Sequence, residues 1–255
     1  MRFLFVGDTH GTQHLDKVKK WLSVFDLRPL DVIVHAGDLG VAWGGEEDEA
    51  LVWWRSVPCR VLVCLGNHEN YGWIMQQPLV KRFRCQGYAL GGGLFAPLAG
   101  QTAHIGGKTL WFYPGGYSVD FFFRRPGVSI YKEEMLPTKQ AERILKNVLK
   151  RKHVDYIISH DGPRSFVAEH FGFPIAPPRS DYLKLMGEEP GGRAHPGFIL
   201  DEIYRGKPAY GQWYFGHHHR DIAKGNVRCL WNQAVLQDTR TGSTDVIDDV
   251  IAIEG

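Results

Sequence analysis

Arg2-Phe3-Leu4-Phe5-Val6-Gly7-Asp8-Thr9-His10 opens the chain as a short apolar run broken by a glycine, an aspartate and a histidine. Alternating branched and aromatic residues of this kind predict a β-strand, and Gly7-Asp8 marks its end. Beyond the turn, Thr12 stands as an N-cap, and Leu15, Val18, Leu22 and Phe25 recur at helical spacing. The pattern repeats. Asp31 to Ala36 predicts a second strand ending at Gly37-Asp38, followed by an acidic start at Glu46 to Glu49 and a helix through Trp54. Arg60 to Leu65 predicts a third, ending at Gly66-Asn67-His68, with another helix near Tyr71. Three strand-loop-helix units in succession imply a parallel sheet in an α/β domain.

Farther on, the glycine-rich stretch from Tyr88 to Gly116 reads as short strands and tight turns forming a second sheet. The clearest helix starts at Thr138, with Ala141, Ile144, Leu145, Val148 and Leu149 on one face and Lys150, Arg151 and Lys152 at its end. Strands are expected at Tyr156 to Ser159, before His160, and at Gln212 to Phe215, before Gly216-His217-His218-His219. Between them, Phe173 to Pro196 reads as an irregular loop with a short helix at Tyr182 to Met186, and a further helix lies near Phe198 to Tyr204. Strands around Val227 to Trp231 and Val246 to Ile253 close the chain.

Length and composition bound the answer. A chain of 255 residues, 44% hydrophobic and 23% charged, accommodates one α/β domain, expected to span residues 1–255, and excludes disordered or fibrous classes. A formal net charge of +2 gives no electrostatic case for long nucleic acid. Cys59, Cys64, Cys85 and Cys229 form no Cys-x-x-Cys pair, and no apolar run approaches the ~20 residues of a membrane span. The strand beginning at Met1 to Val6 leaves no room for a cleavable signal, so a cytoplasmic protein without a membrane partner is expected.

The chemistry sits where the strands end, in the crevice that α/β folds use for function. Asp8 and His10 alternate along a segment that, if extended, points both at one ion. Asp38 has two oxygens that can bridge two cations. In Gly66-Asn67-His68-Glu69 an amide oxygen can ligate a metal while the adjacent imidazole stays free for acid-base work. His160 adds one imidazole. His217 and His219, two apart, add two more, with His218 turned away. Asp8, His10, Asp38, Asn67, His160, His217 and His219 thus form a mixed nitrogen and oxygen set without thiolate, enough for two divalent metal ions if Asp38 bridges. Such a pair would lower the pKa of a bridging water and neutralise phosphoryl oxygens, leaving His68 to protonate the leaving alkoxide. Manganese is the expected metal, with Fe, Zn or Co as alternatives for the same donors.

This order of motifs resembles the calcineurin-like metallophosphoesterase superfamily over Asp8 to His219. The resemblance implies a four-layer α/β/β/α sandwich of two facing mixed sheets flanked by helices. It implies one metal at Asp8, His10, Asp38 and His219, a second at Asp38, Asn67, His160 and His217, and His68 as the catalytic acid. The protein serine/threonine phosphatases of that superfamily continue the second motif with an aspartate and an arginine, whereas here Gly37-Asp38 runs into Leu39-Gly40-Val41-Ala42. The branch resembled is therefore that of small bacterial or phage-type phosphoesterases, in which a segment like Gly115 to Arg125 occurs. Arg124 and Arg125, with aromatic neighbours, are candidates for binding a phosphate ester, a small molecule or nucleotide. The same aromatics read equally well as core. The rival to an enzyme is a protein-binding scaffold on the same fold. It is disfavoured because burying so many polar groups without metals would be costly.

Overall fold

The computed structural model describes residues 1–172, 177–189, 195–206 and 208–248. The chain runs β1 (Arg2–Val6), α1 (Leu15–Phe25), β2 (Val32–His35), α2 (Glu49–Ser56), β3 (Arg60–Val63), α3 (Tyr71–Ile74), β4 (Leu79–Arg82), β5 (Cys85–Gly91), β6 (Leu94–Pro97), β7 (Thr102–Ile105) and β8 (Lys108–Tyr113). It continues α4 (Thr138–Val148), β9 (His153–Ser159), α5 (Arg164–Phe171), α6 (Ser180–Met186), α7 (Pro196–Arg205), β10 (Ala209–Phe215), β11 (Ile222–Lys224), β12 (Val227–Cys229), β13 (Gln233–Asp238) and β14 (Thr244–Asp248).

Two mixed sheets result, an eight-stranded one in the order β14-β13-β1-β2-β3-β6-β5-β4 and a six-stranded one in the order β11-β12-β10-β9-β8-β7. Strands β1, β2, β3 and β6 run parallel, as do β8, β9, β10 and β12. The four-layer α/β/β/α sandwich is the observed architecture.

Side-chain alternation along the strands builds the layers. Leu4, Val6, Ile33, Val61 and Val63 face outward against Val18, Trp21, Leu51 and Trp54 of α1 and α2. Phe3, Phe5, Val32 and Val34 point the other way, onto Phe112, Tyr156, Ile158 and Tyr214 of the second sheet. Phe5 and Tyr214 stack with centroids 4.0 Å apart, joining the sheets at the strands that carry the site. Outside the second sheet, Trp111, Ile157, Trp213 and Phe215 pack on α4, α5 and α7 through Ile144, Phe166, Val167, Leu200 and Ile203. Full burial of each such side chain contributes about 1.5–3 kcal/mol.

Three expectations are corrected. The region Tyr88 to Gly116 does not all join the second sheet: β5 and β6 return to the first, where β6 pairs with β3, and only β7 and β8 belong to the second. Its local pattern specifies short strands but not which sheet they complete. Thr12 is not the cap of α1, which begins at Leu15 with His14 in the cap position and no side-chain cap bond. The residues before it are tied into the loop, Gly11 N donating to Leu39 O and His14 N to Thr9 O. Strand β9 starts at His153, earlier than Tyr156, and α5, β11 and β13 had no predicted counterpart. The short helix within Phe173 to Pro196 is present as α6, while residues 173–176 and 190–194 of that loop lie outside the described residues, as do residues 249–253 of the expected last strand. All four cysteines are buried free thiols. No helix among the described residues is long and apolar enough to cross a membrane.

Candidate metal centre

Asp8 and His10 follow β1, Asp38 follows β2, Asn67 and His68 follow β3, His160 follows β9, and His217 and His219 follow β10. All lie at the strand carboxyl ends. The first two loops are laced together by backbone bonds, Asp8 N to Gly37 O (3.0 Å), His10 N to Asp38 O (2.9 Å) and Gly11 N to Leu39 O (2.8 Å).

The segments are not extended as the alternation argument assumed. Asp8 (φ 49°), His10 (φ 49°), Asp38 (φ 54°), His217 (φ 70°) and His219 (φ 49°) are all left-handed, a conformation costing of order 1–3 kcal/mol for each non-glycine residue. In the loops after β1, β2 and β10 the side chains converge because the chain turns sharply at the donor residue. His218 does turn away, its Nε2 lying 2.9 Å from Asp161 Oδ1.

Ligand atoms of Asp8, His10 and His219 lie within 4.8 Å of one another, and so do those of Asp8, Asp38 and His160. Asp38 sits between the halves, with Oδ2 3.8 Å from His10 Nε2 and Oδ1 3.2 Å from His160 Nε2. Asn67 Oδ1 is 2.9 Å from His160 Nε2, and the His160 and His217 rings are 4.9 Å apart. Glycines make the approach feasible. A Cβ at Gly66 would stand 2.1 Å from Asp38 Oδ1, one at Gly216 2.5 Å from Asp8 Oδ2, and one at Gly37 2.2 Å from His160 Nδ1.

The residues fit divalent cations on three counts. Asp8 Oδ2 is buried without a hydrogen-bond partner, a costly state for a carboxylate oxygen in a protein interior. Burial, with Asp38 adding to it and His160 opposing it, pushes the Asp8 carboxyl up to about 8, so its charged form is disfavoured in the site as it stands. The imidazoles are also prepared. Burial lowers His10 to about 4 and lowers His217 and His219, leaving neutral rings of the kind that ligate metals. His160 is the exception. Burial lowers it, but the Asp38 carboxylate outweighs that effect and raises it to about 10. Its Nδ1 faces the Ala36 carbonyl at 2.9 Å, which can only accept. Its Nε2, facing Asn67 Oδ1 (2.9 Å) and Asp38 Oδ1 (3.2 Å), therefore points to where a cation would sit.

His68 opens onto a cleft of ≈ 330 Å³ shared with His10, Trp43, Asp120 and Arg124. Its Nε2 faces Asp120 Oδ2 at 4.0 Å, and its backbone N donates to Asp38 Oδ1 (2.8 Å). Of the two arginines, Arg125 is exposed, whereas the Arg124 side chain is only 8% exposed and pairs with buried Glu134 at 2.7 Å. The aromatic run divides. Phe121 packs against Tyr182, while Phe123 is 92% exposed.

Other histidines separate as well. His35 is buried, its Nε2 3.0 Å from Thr9 Oγ1 and its Nδ1 accepting from Gly37 N (3.2 Å), so it supports the loop that carries Asp38. His195 caps α7 and lies 3.5 Å from Asp161.

Three supporting groups had no role in the sequence reading. Glu69 accepts from Leu39 N, Gly40 N and Gly66 N, tying the loops after β2 and β3. Its place beside Asn67-His68 was the available signal. Ser118 meets Asn67 from a distant segment, Gly115 to Arg125, which resembles one in the family, and Glu134 holds Ser118 in turn, with no local pattern to reveal Glu134.

Comparison with known proteins identifies the family. The model of the calcineurin-like phosphoesterase family matches residues 1–221, and the chain belongs to that family. It is thus a metal-dependent phosphoesterase, a hydrolase acting on phosphate esters. One crystal structure shares the fold at 13% identity and a TM-score of 0.52, covering 97% of this chain and 98% of its own. Another, of a candidate diadenosine tetraphosphatase, matches at 11% identity with a TM-score of 0.32, covering 97% and 93%. No curated protein matches the sequence.

Proposed function

We propose that the chain is a two-metal phosphoesterase in which Asp8, His10, Asp38 and His219 hold one divalent cation and Asp38, Asn67, His160 and His217 hold the other. The observation that carries this reading is Asp38, which turns one carboxylate oxygen toward His10 and the other toward His160. When bound, the two cations would supply a nucleophilic water at neutral pH and neutralise charge on the phosphoryl oxygens. The protein does the rest. Asp38 and Asn67 fix the separation of the two donor sets, and the buried loops exclude bulk water from one side. His68, at the open edge, delivers a proton to the departing oxygen. Trp43, on the same cleft and 42% exposed, offers a flat apolar surface to the group that leaves. Exposed Arg125 would bind phosphate of a small phosphate ester or a nucleotide as substrate. Manganese is the metal proposed, since hard oxygen and borderline nitrogen donors are mixed.

The test is hydrolysis of bis-p-nitrophenyl phosphate and p-nitrophenyl phosphate by metal-stripped protein reloaded with Mn, beside Asp38→Ala and His68→Ala. Mn-dependent turnover lost in Asp38→Ala is the expected result, and the preferred ester separates diesterase from monoesterase. Absence of turnover with every divalent metal, in folded protein, would overturn the reading in favour of a binding scaffold.

A further inference from the structure

We infer that Glu134, Ser118 and Arg124 form a positioning relay that fixes the Asn67 side-chain amide with its oxygen toward the second metal position. The inference rests on the two-metal reading above. It starts from Ser118, whose buried hydroxyl has one hydrogen and two lone pairs. Oγ donates to Glu134 Oε2 at 2.6 Å. With that hydrogen committed, the hydroxyl can only accept from its other neighbours. It accepts from Arg124 Nη1 (2.7 Å) and from Asn67 Nδ2 (3.0 Å). The amide nitrogen must therefore face Ser118, and the amide oxygen the opposite way, where it lies 2.9 Å from His160 Nε2. A rotated amide would set its oxygen against an oxygen with no hydrogen to offer.

Arg124 locks the relay. Its five N–H groups are matched by five contacts: Nε to Ser129 O (2.5 Å), Nη1 to Ser118 Oγ and to Glu134 Oε2 (3.2 Å), and Nη2 to Glu134 Oε1 (2.7 Å) and to Asn67 O (3.0 Å). The same guanidinium thus holds Glu134 bidentately and grips the backbone of the residue whose side chain is being aimed. No N–H remains for a phosphate, so Arg124 acts on the metal site through Asn67 instead of on substrate directly. Gly116 closes the far side, since a Cβ there would meet Asn67 Oδ1 at 2.9 Å. Segment 117–134 is by this account the support that holds one ligand of the metal centre in its working orientation.

The experiment is calorimetric titration of metal-stripped full-length chain with MnCl2, reading the number of ions and the affinity of each, for wild type, Ser118→Ala, Ser118→Thr and Glu134→Gln. Circular dichroism and urea midpoints establish that each is folded. Ser118→Ala leaves the Arg124–Glu134 pair in place. Glu134→Gln can donate to Ser118, releasing the hydroxyl hydrogen toward Asn67 and removing the constraint on the amide. Both are expected to weaken the second Mn by about 10–100-fold, the usual effect of removing a group that orients a ligand, while the first Mn binds as in wild type. Ser118→Thr keeps the hydroxyl and is expected to retain both ions. Wild-type affinity for both ions in folded Ser118→Ala and Glu134→Gln would overturn the relay while leaving the two-metal reading intact. A wild-type protein that takes up no more than one Mn would overturn that reading, and the relay with it.

Discussion

The loops after β1, β2 and β3 carry Asp8, His10, Asp38 and Asn67, whereas those after β9 and β10 carry only imidazoles, His160, His217 and His219. Of the proposed donors, the first sheet offers mainly oxygen and the second only imidazole nitrogen. Neither sheet holds a complete four-donor set, because each proposed set draws from both. The two sides are also supported differently. The first-sheet loops are tied by backbone bonds and by Glu69, while the second-sheet loops are anchored by Trp213 Nε1 donating to Ser159 Oγ (2.8 Å) and by His218 on Asp161. Contacts between the two sides include His217 N to Asp8 Oδ1 (3.0 Å), His160 Nδ1 to Ala36 O and His160 Nε2 to Asn67 Oδ1 (2.9 Å). The centre is thus a property of the interface between sheets, and its integrity depends on the core that holds them together.

Removing Asp38, whose two carboxylate oxygens turn toward His10 and His160, has the largest expected effect. Asp38→Ala should lower kcat/KM for Mn-dependent hydrolysis by more than about 10³-fold and reduce bound Mn below two per chain, measured by steady-state kinetics and elemental analysis. His68→Ala leaves both donor sets intact. It should reduce kcat on an alkyl phosphate ester by about 10²–10⁴-fold, with a smaller loss on p-nitrophenyl esters whose leaving group needs no proton, and unchanged Mn uptake. An equal loss on both ester types would argue against its role as acid.

The inter-sheet dependence can be broken from within the core. Phe5→Ala, which removes the stack on Tyr214, should destabilise the fold by about 3–5 kcal/mol in urea unfolding and weaken Mn binding without touching a donor. Normal Mn affinity in a destabilised Phe5→Ala would show that the loops hold the centre unaided. Gly66→Ala is confined to the first sheet. Its Cβ would displace the Asp38 carboxylate and press on the Asp38 backbone, so Mn affinity should fall about 10–100-fold and the unfolding midpoint should drop as well.

The smallest effect is expected away from the cleft. Burial alone would raise the Asp31 carboxyl, but hydrogen bonds from the Arg2 side chain and the Arg28 and Arg2 backbone outweigh it and hold it below its usual value. A carboxyl lowered in the folded state stabilises above its unfolded pKa of about 3.9, and that contribution is lost as pH falls through and below this value. Asp31→Asn should therefore cost about 1 kcal/mol near pH 7, progressively less in acid, with hydrolysis unchanged.

Much of the frame was legible because strand, glycine, then donor residue is a local pattern. Arg2–Val6, Val32–His35 and Arg60–Val63 follow from alternating apolar residues, and Asp8, Asp38 and Asn67 stand directly beyond them. α4 was equally plain from its buried stripe. What failed was nonlocal or depended on backbone conformation. Glycine-rich β5 and β6 carry nothing that selects one sheet over the other, and the convergence of Asp8 with His10 comes from left-handed turns that residue spacing cannot display. Arg124 looked available for phosphate because a sequence does not show that Glu134, Ser118 and Asn67 O surround it.

The sequence by itself determined the strands, the donor residues at their ends and the family chemistry, since these depend on residue type and short spacing. Only the tertiary structure decided which sheet each strand joins, that each proposed donor set draws on both sheets, and which way the Asn67 amide points. Those outcomes depend on pairing, packing and hydrogen-bond donors that come from residues far apart in the chain.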